Sequence, residues 1–195
     1  MTKYSYISVD IETAGPNPSS YSLLTIGACT LDSPPQSFYI ELKPVNSKMT
    51  SEAQGIHHLD LKRLNERGTA PAEAMEKFES WIKQVTPEGE VPLFLAFNAP
   101  FDWMFVCDYF HRFLGRNPFG HAAVDIKAFA LGVCRLTWDE TSIRNLSLKY
   151  LGNREITHHA LRDALDQAEI FNKLMAEKCK SQETTDKDEA QGLNL

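Results

Sequence analysis

The stretch YISVDIETAGP, Tyr6 to Pro16, decides how the rest of the chain is read. Ile7, Val9 and Ile11 alternate with Ser8, Asp10 and Glu12, the period of a β-strand, so both carboxylates point to one face. Two like charges side by side repel, and burying either without a partner is costly. Such a strand needs either an exposed sheet edge or something positive in front of Asp10 and Glu12.

Outward from that stretch, Tyr4 to Ile11, Leu23 to Leu31 and Gln36 to Leu42 read as three strands. The turn-forming linkers GPNPSS and DSPP separate them, which predicts a meander. Ser51 to Asn65 reads as short helical pieces with a loop. Pro71 to Val85 is an amphipathic helix with proline in its first turn and Ala74, Phe78, Trp81, Ile82 and Val85 on its apolar side. VPLFLAF, residues 91–97, is a near-continuous apolar run, as in a central strand covered on both faces. Helices are expected at Phe101 to Leu114, Ile126 to Cys134, Ser142 to Leu151 and Ala160 to Lys178, with a short strand at Ala122 to Ile126. The pattern predicts one α/β domain with a mixed sheet over residues 1–178 and a polar, disordered tail over 179–195.

The 195 residues, 43% hydrophobic and 24% charged, suit a single globular domain with a sizeable core. The opening MTKYSYISVD has no long apolar run, so neither a signal peptide nor a membrane span is expected. Cys29, Cys107, Cys134 and Cys179 are widely spaced, as free thiols of a cytoplasmic protein would be. A net charge of −6 argues against a broad basic surface for nucleic acid. It does not exclude a site where bound metal ions supply the positive charge.

An acid on a helix is usually solvated surface, so each one is tested by position. Stepping about 100° per residue from Phe101 puts Asp102 in the apolar sector with Phe105, Val106, Tyr109 and Phe113. Asp108 falls beside Arg112, four residues on, and reads as a surface ion pair. In the last helix Asp166 sits in the polar sector with Arg162, Glu169 and Lys173, whereas Asp163 lies at the apolar boundary alongside Gln167 and Ile170. Asp10, Glu12, Asp102 and Asp163 are thus four acids at unfavourable places, better explained by shared metal binding than by four accidents. His158 and His159 precede the Asp163 helix, and periodicity does not choose between them. There is no Gly-rich phosphate loop, no GxSxG elbow and no zinc-ligand spacing.

Asp10-Ile11-Glu12-Thr13, then NAPFD ending in Asp102, then HHALRDA holding His158 and Asp163, resemble the three motifs of the DEDDh 3′–5′ exonucleases. That is the group of ribonuclease T and of polymerase proofreading subunits. The resemblance runs from about Tyr4 to Met175, and LLTIGACTLD resembles the family's second strand. It implies a ribonuclease H-like fold: three antiparallel strands, two more parallel to the first, and helices on both faces. It assigns the general base to His158, five residues before Asp163. It also implies two divalent cations, Mg²⁺ or Mn²⁺, suited to hard oxygen ligands. Asp10 would bridge them, Glu12 and Asp163 would complete the site that holds the attacking water, and Asp102 would act through water.

The reaction implied is removal of 5′-mononucleotides from the 3′ end of single-stranded RNA or DNA. A noncatalytic nucleic-acid or polymerase-binding domain of the same fold is the alternative. Thr13, Ala14 and His57 are expected to meet the terminal nucleotide. The resemblance leaves room for a homodimer, whose second subunit supplies basic contacts, and for a polymerase partner. One departure stands out: in EAQGIHHLD, His58-Leu59 occupy the place of the Gly-Ile of a His-Gly-Ile or Thr-Gly-Ile turn. A side chain there replaces a residue that lets the backbone approach closely.

Overall fold

The computed structural model describes residues 2–152, 154 and 157–192, with side chains through Glu177. The meander consists of β1 (Lys3–Thr13), β2 (Leu23–Thr30) and β3 (Ser37–Glu41). Two short helices, α1 (Ser51–His57) and α2 (Leu61–Arg67), lead to α3 (Pro71–Val85). Then follow β4 (Glu90–Ala96), α4 (Ala99–Leu114), β5 (Ala123–Asp125), α5 (Ile126–Cys134), α6 (Ile143–Tyr150) and α7 (Ala160–Gly192). The strands lie in the order β3-β2-β1-β4-β5; β1, β2 and β3 are antiparallel, while β4 and β5 run parallel to β1. This is the mixed sheet the resemblance implies. Asp10 and Glu12 therefore sit on the central strand, and the edge-strand explanation for them fails.

The alternation along β1 divides its residues between two cores. Ile7, Val9 and Ile11 pack with Phe78 of α3 and Phe105, Tyr109 and Phe110 of α4. On the opposite face, Leu95 packs with Ile126, Leu146, Ile170, Phe171 and Leu174 of α5, α6 and α7. Among the described residues no helix is long and apolar enough to cross a membrane.

Local chemistry explains where the helices begin and end. The α3 and α5 boundaries match the apolar periodicity: Pro71 opens α3, and the Asp125 side chain accepts from Lys127 and Ala128 N–H at the start of α5. Helix α4 begins at Ala99 rather than Phe101, because Asn98 turns left-handed (φ 59°) and Pro100 fits the first turn. Helix α7, expected to end at Lys178 before a disordered tail, continues to Gly192. Its polar extension holds no proline and no glycine before Gly192, so nothing in it stops a helix. Residues 193–195 of the expected tail, and the side chain of Cys179, lie outside the described residues.

The first turns of α7 reach β1 and β2 through small residues. Ser8 Oγ donates to the Ala164 carbonyl at 2.8 Å, and Cys29 Sγ lies 3.5 Å from the same oxygen. Between them, a Cβ placed on Gly27 would lie 2.2 Å from both Ala160 C and Leu161 N, which are backbone atoms that cannot swing aside. Gly27 pairs with Asp10 across β1 and β2, so its missing side chain is what admits the Asp163 end of α7 to the carboxylates. Gly27→Ala should destabilise the fold by roughly 1–3 kcal/mol through overpacking. Urea denaturation measures this, and an unchanged midpoint would contradict the close approach.

Candidate active site

β1, α4 and α7 bring the four suspected acids to the C-terminal end of β1. Oxygens of Asp10, Glu12 and Asp163 all lie within 4.8 Å of one another. Asp102, in the first turn of α4 and only 5% exposed, stands beside them. Its Oδ1 accepts the Ile11 N–H at 3.2 Å, beyond Ser8↔Leu95, where β1–β4 pairing ends. Asp10 Oδ1 accepts from Gln167 Nε2 at 2.6 Å. Asp163 is held from the loop before α7: Thr157 Oγ1 donates to Oδ1 and the His159 N–H to Oδ2, each at 3.2 Å.

Among the described residues, no lysine or arginine forms an ion pair with any of these four acids. The surface assignments do find partners, Asp108 with Arg112 and Asp166 with Arg154. Burial, then the nearby Asp163 charge, pushes the Asp10 carboxyl well above its ordinary range. Glu12 is pushed up to about 9 by burial and then by Asp10 and Asp163. Asp102 is raised by burial and by Asp10, and Asp163 by burial. An all-carboxylate donor set with uncompensated charge fits hard divalent cations.

The histidines divide by their hydrogen bonds. His158 is exposed, sits at φ 48°, and lines a cavity of about 210 Å³ with Asp10, Glu12, Asp163 and Gln167. His159 instead stacks on Tyr39, ring centroids 4.8 Å apart. His57 is buried with both nitrogens engaged: Nδ1 accepts from Leu59 N–H at 2.9 Å, so the proton is on Nε2, 3.1 Å from the Thr13 carbonyl. Burial lowers its pKa, in keeping with a neutral ring. His58 takes the left-handed conformation (φ 55°) that closes α1, so the chain keeps the shape of a glycine turn while carrying a side chain, at a strain of roughly 1–2 kcal/mol.

A second cavity of about 340 Å³ adjoins the first, with Ile11 and Glu12 lining both. Thr13, Gly15, Ile56, His57 and Phe101 form much of its wall. Ala14, expected to contact substrate, does not line it. Its side chain is fully buried against Leu24 and Leu64, and its N–H and C=O are bonded to Ser22 and Thr50. Phe101 packs on Phe105, ring centroids 5.6 Å apart, and also lines this cavity, as does Ile56. Gln167, one helical turn beyond Asp163 on the same side of α7, also reaches Asp10.

The exonuclease family model RNase_T matches residues 7–171. The chain is 42% identical over 166 residues to the 3′-5′ DNA exonuclease Cap18 of Escherichia coli, covering 85% of this chain and 89% of that protein. The chain belongs to the DEDDh 3′–5′ exonucleases of the RNase_T family. Solved structures share the fold of this exonuclease. The nuclease domain of 3′hExo, a DEDDh family member bound to rAMP, superposes with a TM-score of 0.73 at 14% identity, over 90% of this chain and 93% of that one. Escherichia coli Exonuclease I in complex with a dT13 oligonucleotide gives 0.69 at 18% identity, over 95% of this chain but 43% of that longer one. The activity of this exonuclease is 3′–5′ cleavage of nucleic acid, and divalent metal ions are the cofactor that both the family and the carboxylate cluster imply.

The buried acids make stability depend on pH and metal. Glu12 keeps its proton in the folded, metal-free state up to about 9 but loses it from about 4.5 when unfolded. The unfolded chain therefore binds fewer protons across that window, and stability falls as pH rises through it. Chelated protein should show a melting temperature that declines across the window. Added Mg²⁺ should raise it most at the alkaline end; a melting temperature indifferent to pH and Mg²⁺ would contradict the electrostatics.

Proposed function

We propose that this exonuclease removes 5′-mononucleotides from the 3′ end of single-stranded nucleic acid, with DNA the preferred strand, by two-metal-ion hydrolysis. The observation that carries the reading is the uncompensated Asp10–Glu12–Asp163 cluster, oxygens within 4.8 Å, in one cavity with His158. The preference for DNA is supported by the 42% identity to a protein named as a DNA exonuclease.

Asp10, Glu12 and Asp163 would hold two divalent cations, with Asp102 acting through water behind them. When bound, two such cations stabilise both the attacking and the leaving oxygen of an in-line phosphodiester displacement. His158 takes a proton from the attacking water, as an imidazole can near neutral pH. His57 is unsuited to that task because both its nitrogens are engaged, and His159 is turned onto Tyr39. The water oxygen bonds to phosphorus, the bond to the 3′-oxygen of the penultimate nucleotide breaks, and that oxygen leaves and takes a proton from solvent to become a 3′-hydroxyl. The phosphate stays on the 5′ side of the released nucleotide.

The second cavity is the place for the terminal nucleoside. Its volume of about 340 Å³ falls in the range of small-ligand sites, and Ile11, Ile56 and Phe101 give it apolar walls for a base. Glu12 joins it to the carboxylate cluster, so a nucleoside there leaves its 5′-phosphate at the metals. Thr13 and His57 line it, and their mutual hydrogen bond sets its shape. All five proposed catalytic residues come from one chain.

The test uses 5′-labelled single-stranded DNA and RNA of one sequence, with Mg²⁺, Mn²⁺ or chelator. A metal-dependent ladder shortening from the 3′ end, faster on DNA and lost in Asp10→Ala, is expected. His158→Ala should lower turnover about 10²–10⁴-fold while Mn²⁺ still binds. Metal binding without cleavage of either strand would favour the noncatalytic binding domain instead.

A further inference from the structure

Gln167 lies one helical turn beyond Asp163 on α7 and is 4% exposed. A buried amide has to satisfy both a donor and an acceptor, and this one does so at the ends of two different strands. Its Oε1 accepts the Phe97 N–H at 3.0 Å, just past β4, and its Nε2 donates to Asp10 Oδ1 at 2.6 Å, on β1. Because the Phe97 N–H can only donate, it fixes which end of the amide is oxygen and turns the NH₂ toward Asp10. That donor holds the Asp10 carboxyl group in one rotation.

We propose that Gln167 is a positioning residue for Asp10. By tying Oδ1 to α7 and, through its own oxygen, to the end of β4, it fixes the rotation of the Asp10 carboxylate against Glu12 and Asp163. It thereby sets the affinity of the cluster for divalent cations. This rests on the metal-dependent reading above. An amide that merely bolted α7 to the sheet would leave cation affinity alone.

The experiment is Mn²⁺ binding by the substrate-free full chain, followed by loss of the free-ion EPR signal. Gln167→Met keeps the length of the side chain and removes both polar ends. Its Mn²⁺ affinity should fall about 10- to 100-fold, the usual effect of removing a partner of a metal ligand, while circular dichroism reports a folded chain. Equal affinity in wild type and folded Gln167→Met overturns the proposal alone. A wild type that binds no Mn²⁺ overturns the metal reading itself, so the two failures are distinguishable. Should the variant not fold, the wild type decides by NMR. The Gln167 amide protons, assigned through their contact with Phe97, should shift with Mg²⁺ in step with binding; resonances unmoved at saturating Mg²⁺ overturn the proposal.

Discussion

Three carboxylates whose oxygens approach within 4.8 Å, with a fourth buried beside them, are the constraint around which the molecule is arranged. Their mutual repulsion and their burial act in the same direction, both favouring the protonated form. With no basic side chain paired to them among the described residues, the charge is balanced either by protons or by cations from solution. A site that holds divalent ions needs this kind of frustration, because residual repulsion in the metal-free protein is what makes cation binding favourable. The acidic net charge of −6 is compatible with a nucleic-acid substrate for the same reason: the positive charge at the point of contact is imported.

Bringing the acids together depends on how closely α7 can lie on the sheet. Ser8, Gly27 and Cys29 keep that contact thin, and Ser8 satisfies a carbonyl of the helix. The same approach carries the loop before α7 onto Asp163, whose two oxygens accept from Thr157 and His159. The loop's position and the carboxylate's orientation are therefore one problem with one solution. His158 faces the cavity while its neighbour is pinned on Tyr39.

Much of this was legible in the residues themselves. The period-two alternation from Ile7 to Glu12 located the strand and both acids, and the apolar sector of α4 singled out Asp102, which is indeed buried. Proline at the start of α3 and the apolar spacing of α5 placed their boundaries. What escaped were features that exist only after packing. Whether Ala14 meets a ligand or the core depends on α2, which brings Leu64 over it. Whether His158 or His159 faces the acids depends on a left-handed backbone that no periodicity encodes. Phe101 packs on the core as its apolar character predicts, and only the cavity at the end of β1 makes it a wall as well.

The direct measurement of the central claim is anomalous diffraction from crystals soaked in Mn²⁺ with a nucleoside 5′-monophosphate. The account predicts two peaks flanking the Asp10 carboxylate, about 3.5–4 Å apart, within reach of Glu12 and Asp163. Crystals with Mn²⁺ bound elsewhere and none at the cluster would contradict it.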